Sequence, residues 1–269
     1  MSQTKNIKAS IIIVNYNNAK YLKKSLETAL NQTYENKEII VIDDMSNDNS
    51  IELLQKYKKK IKFYVSKKKT KFGAYNQINC YFEGFKKSRG KYIFFLDSDD
   101  YYKINKVKKV LNYFAKGFAK EIIFDLPILK FKNKTKYNRF VQKKFIFSNW
   151  PRFTPQSCIA IERRYAKKIF KLLKIQMFPT IWFDFRIATF SYLYLGKIFV
   201  LKDYLTYYRQ LNNSASKKYK TFSKIWWQRR KEAHDFFSFI SDQLKVKKKI
   251  TLDKMITNLV NLFLKWKEY

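Results

Sequence analysis

The chain has 269 residues, 46% hydrophobic and 19% aromatic, which is enough to bury a core and argues against general disorder. Four prolines and five glycines exclude collagen-like and Pro/Gly-rich chains, and no GxGxxG or Walker A loop occurs. With 57 Lys+Arg against 21 Asp+Glu the net charge is +36, while one histidine and two cysteines exclude His/Cys zinc sites.

Any enzymatic chemistry therefore falls to carboxylates, amides, hydroxyls and lysines. Part of the basic excess is a compositional bias, since Ile, Asn, Phe and Tyr are abundant alongside Lys, as in AT-rich genomes. Its distribution is more telling. Residues 1–100 carry 19 basic and 11 acidic side chains, residues 101–212 carry 24 and 5, and residues 213–269 carry 14 and 5. The middle of the chain would attract an anionic partner: a membrane surface, a charged glycan or nucleic acid. Two distant cysteines, Cys80 and Cys158, fit a reducing cytoplasm better than a disulfide framework. The apolar run at residues 11–14 is too short for a signal-peptide core, and no stretch approaches the roughly 18 apolar residues that span a bilayer.

In chain order, residues 9–14 are an apolar, β-branched run that reads as a buried strand. Residues 20–31 place Tyr21, Leu22, Leu26, Ala29 and Leu30 on one helical face. Residues 38–42 read as a second buried strand, ending in Asp43-Asp44. Ser50 is placed to cap a helix through Leu54 and Tyr57. Residues 61–65 read as a third strand, residues 73–87 as a loop followed by a helix, and residues 92–96 as the most apolar strand. That strand ends in Asp97-Ser98-Asp99-Asp100. Such alternation predicts an α/β fold with a mainly parallel, Rossmann-like sheet and helices on both faces. Further on, residues 106–116, 163–175 and 181–195 look helical, and residues 121–126, 140–147 and 198–201 look extended. A polar stretch at 212–220 marks the best boundary, followed by amphipathic helices at 221–243 and 250–267.

Ligands of parallel α/β sheets bind at the carboxyl ends of the strands. Both acidic clusters directly follow a buried strand, so Asp43/Asp44 and Asp97/Asp99/Asp100 should share one sheet edge. Converging carboxylates without His or Cys suit a hard cation, Mg2+ or Mn2+, able to neutralise a diphosphate.

The stretch Ser10-Ile11-Ile12-Ile13-Val14-Asn15-Tyr16-Asn17, then Leu30-Asn31-Gln32-Thr33-Tyr34 and Ile42-Asp43-Asp44-Met45-Ser46-Asn47-Asp48, resembles the opening of family 2 glycosyltransferases of the GT-A fold. Gly90-Lys91-Tyr92-Ile93-Phe94-Phe95-Leu96-Asp97-Ser98-Asp99-Asp100 resembles their DxD segment. The resemblance is strongest over residues 8–102 and thins towards 216. It implies that Asp44 bonds the nucleotide base, with Asn15 and Tyr16 lining the same pocket. It implies too that Asp97 and Asp99 serve ribose, diphosphate and metal. Gly73, Asn76 and Asn79 fall in a donor-side segment where relatives often carry a glycine and an Ala-Arg-Asn-like run; here it reads Ala74-Tyr75-Asn76, without the Arg.

Inverting transfer needs a base for the acceptor hydroxyl. Asp184 lies inside Ile181-Trp182-Phe183-Asp184-Phe185, an apolar setting that raises a carboxyl pKa; pairing with Arg186 is the competing, structural role. By resemblance it occupies the place of the family's catalytic base, ahead of a Tyr-Arg-x-His segment. That segment is Tyr208-Arg209-Gln210-Leu211 here, so Leu211 replaces the His and Arg209 remains to contact phosphate.

Cys158, within an acceptor-side segment, reads as a small buried residue and His234 as structural. The Lys runs at 58–60, 67–69 and 247–249 read as solvated surface.

The expected organisation is a GT-A catalytic domain over 1–212, with a nucleotide-sugar half (1–102) and an acceptor half (103–212), then a basic helical extension over 213–269. The expected activity is inverting transfer from a nucleotide sugar, UDP-linked, to a glycan or lipid-linked acceptor. Its setting would be cytoplasmic, peripheral on an anionic membrane through the two C-terminal helices. A nucleic-acid-binding protein and a nucleotidyltransferase are the rival readings. The first leaves the carboxylate clusters unexplained, and the second lacks its Gly-rich loop.

Overall fold

The computed structural model describes residues 7–137, 150–173, 177–211, 219–247 and 250–266; the strand expected at 140–147 lies outside them, as does most of the polar boundary at 212–220. The described strands form one nine-stranded sheet in the order β3-β2-β1-β4-β8-β6-β9-β5, with β7 (Thr135–Tyr137) beside β6. Its first half is parallel: β1 (Ala9–Asn15) lies between β2 (Lys37–Asp43) and β4 (Tyr92–Asp97), and β3 (Lys62–Val65) flanks β2. The second half is mixed. β8 (Ile159–Glu162) runs antiparallel to both β4 and β6 (Ile122–Lys130), while β9 (Val200–Arg209) is parallel to β6 and antiparallel to β5 (Tyr101–Tyr102).

The continuous apolar runs are explained by burial on both faces. Successive side chains alternate, so Ile12, Ile40, Ile42, Ile93 and Phe95 enter one core and Ile11, Ile13, Val41, Phe94 and Leu96 the other. The second core is closed by α1 (Ala19–Leu30), α2 (Ser50–Tyr57) and α4 (Lys106–Ala115). The first is closed by α3 (Gly73–Lys87), α5 (Arg163–Leu173), α6 (Phe183–Leu195) and α7 (Lys224–Gln243). Gly84 is required where α3 crosses the sheet, because a Cβ there would lie 2.4 Å from the Ile12 Cγ2.

The strands β5, β7 and β8 are absent from the sequence reading, and three further elements differ from it in extent. Helix α3 starts at Gly73 itself, its first turn closed by Asn76, whose side chain exchanges hydrogen bonds with Thr70. β6 continues through Pro127 to Lys130, the ladder shifting register on either side of Leu126 and so accommodating a residue without an N–H. β9 extends ten residues, to Arg209, because it gains partners on both sides that no local pattern announces.

Helix α7 is part of the first core: Ala233, Phe236 and Ile240 are buried in it, Phe236 edge-on to Phe178. His234 is buried against Trp150 and 3.3 Å from Asp253 of α8 (Leu252–Trp266), and burial holds its pKa down to about 4. It is a structural residue. Cys80 and Cys158 are both buried free thiols.

Candidate active site

The register sets Asn15 opposite Asp43 and Val14 opposite Asp97, so the carboxyl ends of β2, β1 and β4 meet on one edge. The two acidic clusters lie on it, as strand ends of a parallel sheet require.

Asp43 is consumed by structure. Its carboxylate accepts from the Asn15 Nδ2 (2.7 Å), the Ser46 amide (2.7 Å) and the Ser46 hydroxyl (2.8 Å), which fixes the turn after β2. Asp44 is left facing the edge, with its amide bonded to the Asn15 carbonyl. Its side chain is buried, its Oδ1 has no hydrogen-bond partner among the described residues, and burial pushes its pKa up to about 6 against the pull of Lys69. The Asn15, Gln77 and Asn79 side-chain oxygens are likewise buried without a partner. A buried acceptor without a partner is costly unless a ligand supplies a donor, and the Asp44 oxygen stands at the strand edge. Tyr16 is half-exposed, with the Lys69 Nζ 3.3 Å from its ring centroid. The run at 67–69 is exposed, as expected of solvated surface, and Lys69 reaches from it over the Tyr16 ring.

Of the other donor-side residues, Asn76 is spent on Thr70. A Cβ added at Gly73 would meet nothing within 4 Å, leaving open space at the helix start.

At the end of β4, ligand atoms of Asp97, Asp99 and Asp100 all lie within 4.8 Å of one another. Asp97 accepts from Gln77 (3.0 Å), from the Tyr81 hydroxyl (2.8 Å) and from Gln156. Asp100 is fully buried and accepts from the Ser157 hydroxyl (2.6 Å) and the Arg209 amide (2.9 Å). Arg209 also donates to the Asp99 carbonyl (2.7 Å) and lies over Tyr21 and Tyr101. Burial, with the Asp99 charge beside it, pushes Asp97 up to about 7, and burial raises Asp99 and Asp100 as well. Three crowded carboxylates resisting ionisation fit an oxygen-seeking divalent cation, which Asp97 and Asp99 would hold while Asp100 braces the turn.

A consequence is testable without turnover. Because the folded pKa values are raised, protonation favours the folded state, and stability is lost as pH rises from about 4 to 7 for Asp97. At pH 7.5 a 100-fold excess of Mn2+ over its Kd should raise Tm by about 5–10 °C, from roughly 2.7 kcal/mol of linkage. Asp99→Asn should raise the metal-free Tm and abolish most of the Mn2+ response. Equal responses in the two proteins would rule out this ligand set.

Asp184 is the second residue of α6 and half-buried; among the described residues its Oδ1 accepts from the following amide, that of Phe185 (2.7 Å). Arg186 does not pair with it, donating instead to the Phe178 and Ile181 carbonyls. Burial pushes Asp184 up to about 6, offset in part by the Phe185 amide and by Arg229. It faces the β4 cluster closely enough to raise Asp97 further. Tyr208 stands among all four carboxylates: burial and then Asp100, Asp184, Asp97 and Asp99 hold its hydroxyl protonated. The segment leading into α6, and so to Asp184, is gripped from α7, where Glu232 accepts from the Thr180 amide (2.8 Å) and hydroxyl (2.6 Å) and Arg229 donates to its carbonyl (3.2 Å). Gln77, Tyr81, Gln156, Arg229 and Glu232 reach the site only through tertiary packing.

The Glycosyl transferase family 2 profile matches residues 10–181, more than half of the chain. The chain belongs to this family of sugar-transferring enzymes. Asp184 and Arg209 lie beyond the matched stretch. An uncharacterized glycosyltransferase of Nostoc sp. is 29% identical over 218 residues, 76% of this chain and 65% of its own. The Escherichia coli UDP-Glc:alpha-D-GlcNAc-diphosphoundecaprenol beta-1,3-glucosyltransferase WfaP is 38% identical over 104 residues, 39% of this chain and 40% of its own. The chain thus spans less than two thirds of these relatives' length. Among solved structures, Staphylococcus aureus TarS 1–349 in complex with UDP-GlcNAc superposes with a TM-score of 0.59 at 17% identity, covering 95% of this chain and 70% of that one; the likeness is one of fold. The sheet is thus the GT-A type expected from the sequence, and nothing in these likenesses favours a nucleic-acid-binding protein or a nucleotidyltransferase.

Proposed function

We propose that the protein transfers a sugar from a UDP-linked donor to a glycan or lipid-linked acceptor of cell-surface polysaccharide synthesis, with inversion at the anomeric carbon. The observation that carries this reading is the pairing on one sheet edge of Asp44, a buried carboxylate with an unpartnered oxygen, and the Asp97/Asp99/Asp100 cluster. The first suits the imide N–H of a uracil and the second a diphosphate with its cation. WfaP is named for a UDP-glucose donor and a diphosphoundecaprenol acceptor, and TarS binds UDP-GlcNAc; both support the same chemical classes here.

Asp44, Asn15 and Tyr16 bind the base, and Gly73 leaves room beside it. Mn2+ or Mg2+ on Asp97 and Asp99 supplies neutralisation of the diphosphate charge. Arg209, placed at the same turn, adds a phosphate donor and orients Asp99. Asp184 accepts the proton of the acceptor hydroxyl as its oxygen bonds to the anomeric carbon. The bond from that carbon to the diphosphate breaks, and UDP leaves from the opposite face. A carboxyl near 6 is ionised at neutral pH yet basic enough for this step. The enzyme works peripherally on the cytoplasmic side of an anionic membrane, where a lipid-linked acceptor is presented.

A panel of UDP-, GDP- and TDP-sugars, assayed for nucleotide release with and without Mn2+, tests the reading. Release from a UDP-sugar that needs Mn2+ is expected. Calorimetry with UDP and Mn2+ should show most affinity lost in Asp97→Asn and in Asp99→Asn, and unchanged binding in both would refute the assignment.

A further inference from the structure

We propose that α8 docks the protein on an anionic phospholipid surface through an apolar stripe that faces away from the protein. This rests on the membrane setting just proposed and gives it a structural element. An ordinary surface helix turns its apolar side inward. Helix α8 does the reverse. Leu252, Met255, Ile256, Leu259, Leu262 and Phe263 recur at helical spacing and are 43–70% exposed, whereas Thr257 is 0% exposed and Asn261 6%.

The inner face is held by polar contacts to α7. Asp253 accepts from Arg230 (2.8 Å), Lys254 donates to the Ser238 hydroxyl (2.8 Å), and Asn261 donates to the Trp227 carbonyl (3.0 Å). Such a seam orients α8 rigidly with its hydrophobic side to the outside. The Asn261 bond also brings the start of α7 to the far end of α8, where Phe222 (72% exposed) and Ile225 prolong the apolar surface. No helix among the described residues is long and apolar enough to cross a membrane, so the stripe lies in the interface plane.

Charge decides the occupant. Lys220 and Lys224 at one end and Lys245 and Lys247 at the other are exposed beside the stripe, in a chain of net charge +36. A second copy on this face would bring two strongly positive molecules together, whereas an anionic leaflet attracts each lysine near it. Docking also has a short path to the chemistry: α8 packs on α7, and α7 grips Thr180, four residues before Asp184. The helix pair thereby holds the segment that leads into α6 and the proposed base.

Full-length protein should pellet with vesicles of equal phosphatidylglycerol and phosphatidylcholine at low salt, release as salt rises, and ignore phosphatidylcholine alone. Leu259→Asp combined with Phe263→Asp should weaken vesicle binding by about 100-fold, the scale of withdrawing two large apolar side chains from burial. Both residues are exposed, so UDP affinity should stay at the wild-type value and reports that the fold is intact. Lys245→Ala and Lys247→Ala should each weaken binding to the anionic vesicles by about fivefold. Pelleting of the double aspartate variant, or equal binding to neutral vesicles, overturns the proposal. A wild-type dimer in solution that the same variant converts to monomer assigns the stripe to a second copy and overturns it too. Vesicle binding without UDP binding would instead strike at the donor reading and leave the docking surface standing.

Discussion

Asp184→Asn should lower kcat by roughly 10²–10⁴ and leave UDP affinity close to wild type. The amide keeps the shape and can still accept from the Phe185 amide, so the start of α6 is preserved while the proposed proton acceptor is lost. As the proposed base, Asp184 would work only when ionised, and burial pushes its pKa up to about 6. Wild-type kcat/KM should therefore fall as pH drops through about 6, with a limb that Asp184→Asn lacks. Glu232→Gln offers an internal contrast, since it weakens the grip on Thr180 without removing the base. It should lower kcat less than Asp184→Asn does and keep the same pH limb. Full turnover in Asp184→Asn would place the base elsewhere.

Lys106→Met should destabilise the protein by about 3–5 kcal/mol, the cost of leaving a buried charge without its partner. Lys106 and Asp125 are 2.6 Å apart and essentially inaccessible to water. The Lys106 ammonium also donates to the Ser157 carbonyl (2.6 Å) and the Thr206 hydroxyl (2.7 Å), and that hydroxyl in turn donates to Asp125 (2.7 Å). Ser157 carries the effect to the site, since its hydroxyl donates to Asp100 and accepts from the Asp97 amide (3.1 Å). The variant should therefore lose Mn2+-dependent UDP affinity as well as stability. Burial already raises the Asp125 pKa; with Lys106 gone it rises further, so the deficit should shrink as pH falls and protonates it. Adding Asp125→Asn should recover part of the loss at neutral pH. Denaturant unfolding that shows a loss below about 1 kcal/mol, the size of an exposed pair, would mean the node is not supporting the fold.

The sequence by itself determined the parallel half of the sheet and the place of its acidic clusters. Runs such as Ile11–Ile13 and Phe94–Leu96 are too apolar for anything but strands buried on both faces, and a carboxylate that directly follows such a strand must emerge at its carboxyl end. Asp44, Asp97 and Asp99 were legible for that reason, and Asp184 because a lone acid in an apolar segment is expensive. What tertiary structure decided is which polar groups are consumed and which are left over. Asn15 and Asp43 lie 28 residues apart and bond each other, Asn76 is taken by Thr70, and Lys69 turns over Tyr16. The long β9 exists through partners on both sides, and the grip of Glu232 on Thr180 spans 52 residues. The direction of α8 is the sharpest case. Periodicity finds an apolar stripe at 252–263 but carries no information on whether it points in or out. The polar contacts of Asp253, Lys254 and Asn261 with α7 turn it outward, because a helix side that satisfies hydrogen bonds across a packed seam leaves its hydrophobic side to whatever lies beyond the protein.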